Sequence, residues 1–292
     1  MRVAVYGKKV TKQTVPVFQH FFQQLARHGM KPVLEAKLRE ELMKKAGLGQ
    51  EADVFHTYED FKTGIDFAFS VGGDGTFLKT VSFIRDSGVP IMGINTGRLG
   101  FLANINSDQL EECVDRLQKQ EFEYQLRSLL RVETERKLFG SDNVALNELT
   151  VHKKDTSSMI TVHAYLDKKY LNSYWADGLI VSTPTGSTAY SLSCGGPIIT
   201  PGCQVHILTP IAPHNLNVRP VVVPDKMPVK LYVEGRDRHY LINLDGWSKN
   251  LRQGEEVEIH KAEYMINVIK FEDNNFLDTI RNKMLWGIDR RN

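Results

Sequence analysis

The 292 residues are 41% hydrophobic, 25% charged and 9% aromatic, the texture of a globular chain long enough for one large domain or two ordinary ones. Thirty-seven basic residues against 35 acidic leave a net charge of +2, so nothing points to nucleic acid or to an anionic membrane, and any anion site must be local. Three cysteines without CxxC spacing (Cys113, Cys194, Cys203), an N-terminal apolar run of only about five residues and no run near the ~20 that span a bilayer lead us to expect a soluble cytoplasmic protein without disulfides.

Strand-like and helix-like segments alternate over the first hundred residues. Val3 to Gly7 reads as a strand that meets a glycine, and Thr14 to His28 as a helix with Val17, Phe21, Phe22 and Leu25 at helical spacing. A second strand over Pro32 to Ala36 and a charged helix over Lys37 to Ala46 follow. Ile65 to Val71 is a third strand running into Gly72-Gly73. Helical spacing returns over Thr76 to Arg85, and Val89 to Asn95 is a fourth strand. This order predicts a parallel sheet with helices on its faces, whose ligands sit at the carboxyl ends of the strands, where both glycine-rich turns fall. A short charged helix over Asp108 to Lys119 closes the unit.

From about Phe122 the texture changes to short strand-like runs broken by Gly, Pro, Asn and Asp: 129–135, 145–152, 160–166, 179–181, 205–209, 229–234, 240–244 and 257–260. The expectation is an α/β plus all-β chain. A Rossmann-like N-terminal domain spans 1–121, an all-β sandwich-like domain 122–270, and a C-terminal helix in 271–292 packs back on the first domain.

Four stretches carry polar chemistry. In Ser70-Val71-Gly72-Gly73-Asp74-Gly75-Thr76 a buried strand ends, three glycines flank one aspartate and a helix begins. Glycines allow backbone to approach a ligand, and the helix start offers free N–H groups, which together make a phosphate cradle. It is neither a Walker A loop nor a GxGxxG fingerprint. A carboxylate among phosphates needs a bridging metal or a hydroxyl partner, as in phosphoryl transfer; the plain alternative is that Asp74 caps the helix. Asn95 to Leu102 is a second glycine-rich turn, with Phe101 either free to pack on a ring or simply buried. Leu146-Asn147-Glu148-Leu149 offers an amide and a carboxylate suited to ribose hydroxyls, or merely an edge strand facing water. Ala176 to Pro197 holds seven Ser/Thr hydroxyls between 182 and 193, with Tyr190 as a flat face, and Asp177 and Gly195-Gly196-Pro197 argue for a defined geometry. The histidines lack metal-ligand spacing, and Asp245-Gly246-Trp247 reads as a hairpin turn.

Together these stretches resemble the NAD kinase family, the ATP- or polyphosphate-dependent enzymes that make NADP from NAD. The resemblance runs in order through GGDGTFL (72–78), INTGRLGFL (94–102), LNE (146–148), DGLIVSTPTGSTAYSLSCGGPI (177–198), HNLNVRPVV (214–222) and DG (245–246). GGDG alone is shared with diacylglycerol, sphingosine and phosphofructokinase relatives; the long TPTGSTAYSLS stretch is the specific part. The resemblance implies a site between an α/β and an all-β domain, with Asp74 as the catalytic carboxylate and Gly73 and Gly75 against diphosphate. It implies Asn147 and Glu148 on ribose and base, and Asp177 on the nicotinamide side. Thr188, Ala189, Tyr190, Ser191, Leu192 and Ser193 would wrap the nucleoside, with Phe101 beside adenine and Asp245 and Gly246 completing the site. Lys79 falls where some members have a basic ligand contact.

It further implies Mg²⁺ or another divalent cation, ATP or polyphosphate as donor, and a homodimer or homotetramer. Two positions depart from the pattern: Trp175 stands where many members have arginine, and Trp247 where polar residues are common. The other readings are a lipid kinase of the diacylglycerol or sphingosine type, for which no basic amphipathic helix is evident, and a non-catalytic NAD(P)-binding regulator.

Overall fold

The structure is a computed structural model; it describes residues 1–62, 64–97, 100–154, 159–272 and 275–286. Arg98 and Leu99 of the second glycine-rich stretch, and Asn274 within the expected C-terminal helical segment 271–292, lie outside the described residues. In chain order the elements are β1 (Arg2–Gly7), α1 (Val15–Arg27), β2 (Lys31–Glu35), α2 (Ala36–Ala46), β3 (Asp53–Phe55), β4 (Phe67–Gly72), α3 (Asp74–Ile84), β5 (Ile91–Asn95) and α4 (Leu110–Gln118). There follow β6 (Glu123–Thr134), β7 (Val144–Ala145), β8 (Glu148–His152), β9 (Ile160–Leu166), β10 (Lys169–Ala176), β11 (Gly178–Ser182) and a short α5 (Tyr190–Ser193). The chain continues through β12 (Val205–Ile211), β13 (Val221–Pro224), β14 (Val229–Glu234), β15 (His239–Leu244), β16 (Trp247–Arg252), β17 (Val257–Lys270) and α6 (Phe276–Met284).

These elements fall into two compact units, one made of Met1–Leu126 with Ile266–Asn292 and the other of Arg127–Met265. The limits differ from the expected 121/122 and 270/271 because no loop marks either crossing. β6 and β17 are long, unbroken strands that run through both limits. The returning segment therefore begins as a strand: Val268 pairs in parallel with Ile91 of β5.

In the first unit the sheet order is β17-β5-β4-β1-β2-β3, all parallel. β4 (FAFSVG) is buried at every position, as a central parallel strand covered on both faces must be. α1 has proline in its first turn and buries Phe18, Phe21, Gln24 and Leu25, a helical stripe, against that sheet. Glu35 caps α2 by accepting the Leu38 N–H. From β1 the chain moves to β2 and β3 on one side and then crosses to β4 on the other. The direction of winding thus reverses at β1, where such sheets bind ligands.

The second unit is antiparallel. One six-stranded sheet runs β13-β12-β11-β8-β15-β16; the other contains β10-β9-β14-β17 with β6 and β7. Leu149, Val151, Leu179 and Val181 of the first sheet share one apolar core with Val162, Ala164, Val229 and Leu231 of the second, which makes the unit a sandwich. Four strands go unmarked in the residue pattern (β3, β10, β13 and β16), and all four are sheet edges. No helix among the described residues is long and apolar enough to cross a membrane.

Candidate active site

In the first unit the GGDG segment sits at the carboxyl end of β4. Gly73, in extended conformation, is the N-cap of α3, and Asp74 is its first helical residue. The capping alternative for Asp74 is therefore not what the chain adopts. Its carboxylate reaches instead to the second glycine-rich turn. Oδ2 accepts the Phe101 N–H at 2.9 Å, and Oδ1 accepts those of Leu102 and Ala103 at 3.0 Å each. A carboxylate has about four lone-pair positions, so Oδ1 is filled and Oδ2 keeps one. Gly100 makes this approach feasible: a Cβ there would run into Asp74 Oδ1. Gly73 and Gly75 are exposed and face open space, room for a ligand against the backbone. Asn95, buried at the end of β5, spends its carbonyl on the Gly97 N–H at 2.8 Å; its amide nitrogen has no partner among the described residues. Phe101 is half-buried, and Lys283 Nζ of α6 lies 5.2 Å from its ring centre, so the ring expected beside adenine already carries a cation. Lys79 lies on α3 with its ammonium 5.2 Å from the Phe83 ring.

The second unit repeats the aspartate device. Asp245 and Gly246 form the β15–β16 hairpin turn with φ of 44° and 87°, the two positive values of a type I′ turn. The Asp245 carboxylate accepts Leu146 N–H at 2.6 Å and those of Asn147 and Glu148 at 3.0 Å each. It is half-buried, and desolvation raises its pKa to about 6 against the opposing pull of those three N–H groups. The geometry makes Asp245 a clamp that shapes the Asn147–Glu148 turn and, as with Asp74, leaves one lone pair of Oδ2 open.

Glu148 is the most perturbed carboxyl of this unit. Burial, and then the Asp245 charge, push it up to about 8, while the Tyr190 N–H pulls the other way. Its Oε2 is buried without a hydrogen-bond partner among the described residues. A carboxyl whose folded pKa exceeds its unfolded one (about 4.3) holds its proton more tightly when folded. Its contribution to stability is thus complete at low pH and drains away as pH climbs to about 8. Glu148→Gln should therefore melt like the parent near pH 4 and higher than the parent by pH 8 to 9, by a few degrees at ~2–4 °C per kcal/mol. Thermal melts across that range check it; a difference that did not vary with pH would contradict the assignment.

The hydroxyl-rich stretch is not a loop. It winds into a 3₁₀ turn (Gly186–Thr188) and then α5. Most of its hydroxyls are buried and used internally. Thr183 donates to the Leu146 carbonyl, Ser187 to the Pro184 carbonyl at 2.6 Å and Thr188 to the Thr185 carbonyl at 3.2 Å. Ser191, fully buried, bonds the Thr209 hydroxyl at 2.8 Å. Tyr190 and Ser193 are exposed, and Thr188, Ala189 and Leu192 are half-buried, so these five are what the turn can present. Gly186 is required because a Cβ would strike the Asn147 carbonyl, which joins this turn to the Asn147–Glu148 turn.

Asp177 is held by Lys153, Nζ to Oδ1 2.6 Å. Trp175 is exposed and packs on His214 with ring centres 4.3 Å apart, and Trp247 is exposed as well. Lys153 and Arg127 had not been singled out. Arg127 is buried, its pKa lowered to about 10 by that burial, and it donates to the Thr185 hydroxyl at 3.3 Å. Neither carries a motif; only the fold brings them to these partners. Among the described residues Glu133, Glu258 and His260 could converge on a cation, but Arg131 and Lys230 already pair with the two carboxylates.

Residues 3–122 match the family model of the ATP-NAD kinase N-terminal domain, and residues 146–271 that of the ATP-NAD kinase C-terminal domain. The chain belongs to the NAD kinase family. The NAD kinase of Flavobacterium psychrophilum is 43% identical, and that of Bacteroides fragilis 38%, each over the whole of both chains. An NAD kinase from Archaeoglobus fulgidus, solved in complex with ATP, is 27% identical and superposes with a TM-score of 0.73 over 98% of this chain and 99% of that one. The yeast NADH kinase solved with NADH has the same fold, with a TM-score of 0.87 at 21% identity over 98% of this chain and 88% of that one. The matched family is not that of the lipid kinases sharing GGDG, and its relatives are enzymes.

Proposed function

We propose that the chain transfers a phosphoryl group from ATP or polyphosphate to the adenosine 2′-hydroxyl of NAD, giving NADP. The observation that carries this reading is the Asp74 carboxylate, fixed by three backbone N–H groups at a glycine-rich strand end with one lone pair of Oδ2 left open. That lone pair accepts the 2′-hydroxyl hydrogen, aims the oxygen at the donor phosphorus and takes the proton as the bond forms. The exposed backbone of Gly73 and Gly75 faces diphosphate. Asn147 and Glu148 hold ribose and base, Tyr190 stacks on the nucleoside, and Thr188, Ala189, Leu192 and Ser193 line it. Ser191, Asp245 and Gly246 act by shaping those turns. Asp177 meets the nicotinamide side with Lys153 fixing its carboxylate, and Phe101 packs beside adenine.

A divalent cation fits this donor set only if it rides on the phosphates. With Oδ1 filled and the open lone pair of Oδ2 given to the 2′-hydroxyl, Asp74 has no position left for Mg²⁺, which substrate phosphates and water would hold. When bound it would offset the charge building on the transferred group. The reading also carries cytoplasmic residence and self-association as a dimer or tetramer; exposed Trp175, Leu216 and Val222 are apolar surface such an interface would bury.

The test is formation of NADP from NAD with ATP and Mg²⁺, read by an NADP-specific dehydrogenase, with polyphosphate and Mn²⁺ as parallel arms. NADP production that depends on Asp74 establishes the reaction. No product from any arm would return the chain to a binding-only role.

A further inference from the structure

A transfer between two nucleotides needs two binding sites, and the residues assigned above account chiefly for the acceptor. The first unit contains a cavity of about 480 Å³, within the ~300–1,000 Å³ range of small-molecule sites. It opens at the carboxyl end of β1, where the direction of winding reverses. Three cations line it from three separate elements: Lys8 just after β1, Lys37 in the first turn of α2 and Lys79 on α3. Among the described residues Lys8 and Lys37 make no ion pair. Two carboxylates share the cavity, but each has a partner of its own. Glu35 accepts the Leu38 N–H at 2.9 Å, and Glu41 accepts the Val10 N–H at 3.0 Å and the Lys45 ammonium at 2.8 Å. Lys8 and Lys37 therefore face the cavity with their charge uncancelled by direct pairing to either carboxylate among the described residues. One wall is aromatic: the Tyr6 and Phe83 rings lie 5.4 Å apart, tilted by 46°.

Lys79 also ties this cavity to the chemistry. It stands five residues after Asp74 on the same helix, ~7.5 Å of axial rise. The cation and the catalytic carboxylate thus ride on one rigid element of one unit.

We propose that this cavity holds the oligophosphate chain of the phosphoryl donor, with Lys8, Lys37 and Lys79 as its cationic contacts and the Tyr6–Phe83 wall available to a nucleoside base. The assignment rests on the kinase reading given above. Lysines suit this task because an ammonium is a compact point charge that adapts to several phosphate oxygens in turn, and a cleft lined by one sign of charge concentrates anions.

The experiment uses a Lys8→Ala/Lys37→Ala double variant, both positions being exposed and distant in sequence from every residue assigned to NAD. KM for ATP should rise about tenfold or more, the loss expected of one or two charge-assisted hydrogen bonds, while KM for NAD stays within about twofold. An unchanged KM for ATP, or equal rises in both constants, would overturn the proposal. Calorimetric titration of ATP into NAD-free protein separates this proposal from the kinase reading. If the parent makes no NADP, ATP binding that the double variant loses still supports the cavity as an oligophosphate site, and equal binding by parent and variant removes it. Inorganic triphosphate supplies the last arm. Competition with ATP in the parent, weakened in the variant, supports recognition of the phosphate chain; no competition would overturn it.

Discussion

Asp74→Asn should lower turnover by about 10²- to 10⁴-fold, the range expected when a positioned acid–base group is lost. The substitution keeps the shape of the side chain but not its hydrogen-bonding logic. An amide has one acceptor atom, and the Asp74 carboxylate uses both oxygens. Whichever way the amide is turned, its NH₂ faces either the Phe101 N–H or those of Leu102 and Ala103, so the 101–103 turn loosens as well. An unpaired buried N–H costs about 1–3 kcal/mol, and the melting temperature should fall with the activity. Gly100→Ala separates the two effects. It keeps the carboxylate and its charge but sets a methyl group against Oδ1, forcing Asp74 from its place. Its turnover should also collapse, with KM for NAD changing much less. Steady-state kinetics on the pair decide the matter: if Asp74→Asn turned over at near the parent rate, the open lone pair of Oδ2 would have no part in the reaction.

Asp245→Asn should be the costliest change to folding in the second unit. The Asp245 carboxylate accepts three consecutive N–H groups from Leu146, Asn147 and Glu148, and hydrogen bonds to a charged acceptor are worth roughly 1.5–3 kcal/mol each. The amide leaves at least one of them facing a donor, so a loss of about 2–4 kcal/mol is expected, read as a drop of roughly 5–15 °C in melting temperature. A second consequence distinguishes this from general damage. Asp245 is one of the causes that raise Glu148, so its neutralisation should bring the Glu148 pKa down from about 8. The affinity for NAD should fall at the same time, because the turn carrying Asn147 and Glu148 loses its clamp. A variant that melted with the parent and bound NAD normally would show that the clamp is dispensable.

The residues that made the fold legible are those whose two faces differ. β1, β4 and β5 read as continuous apolar runs because both faces are covered, and α1 shows a clean stripe because one face is. The strands that went unread, β3, β10, β13 and β16, are edges. β16 (WSKNLR) buries only Leu251, so little alternation remains to be seen. The candidate site was legible as motifs but not as roles. Asp74 and Asp245 were both marked, yet nothing in a linear string says that each carboxylate closes on three N–H groups in a segment 27 to 29, or 97 to 99, positions away. The composition of 182–193 does not show which hydroxyls are buried; Ser182, Thr183, Ser187 and Ser191 have no exposed surface. Lys153 and Arg127 carry no signal in their neighbourhoods and acquire meaning only from Asp177 and Thr185.

Asp74-Gly75 and Asp245-Gly246, two of the chain's three Asp-Gly pairs, are also a dipeptide prone to age chemically. With no side chain on the glycine, its backbone nitrogen can attack the aspartyl carboxyl carbon, lose water to form a cyclic imide and reopen as isoaspartate. Ring closure needs the carboxyl group to swing back toward that nitrogen. Three N–H groups hold each carboxylate on a different segment of chain, so the contacts that build the two turns also keep both aspartates out of reach of their own glycines. Isoaspartate at these positions in a stored preparation would mark molecules that had spent time unfolded.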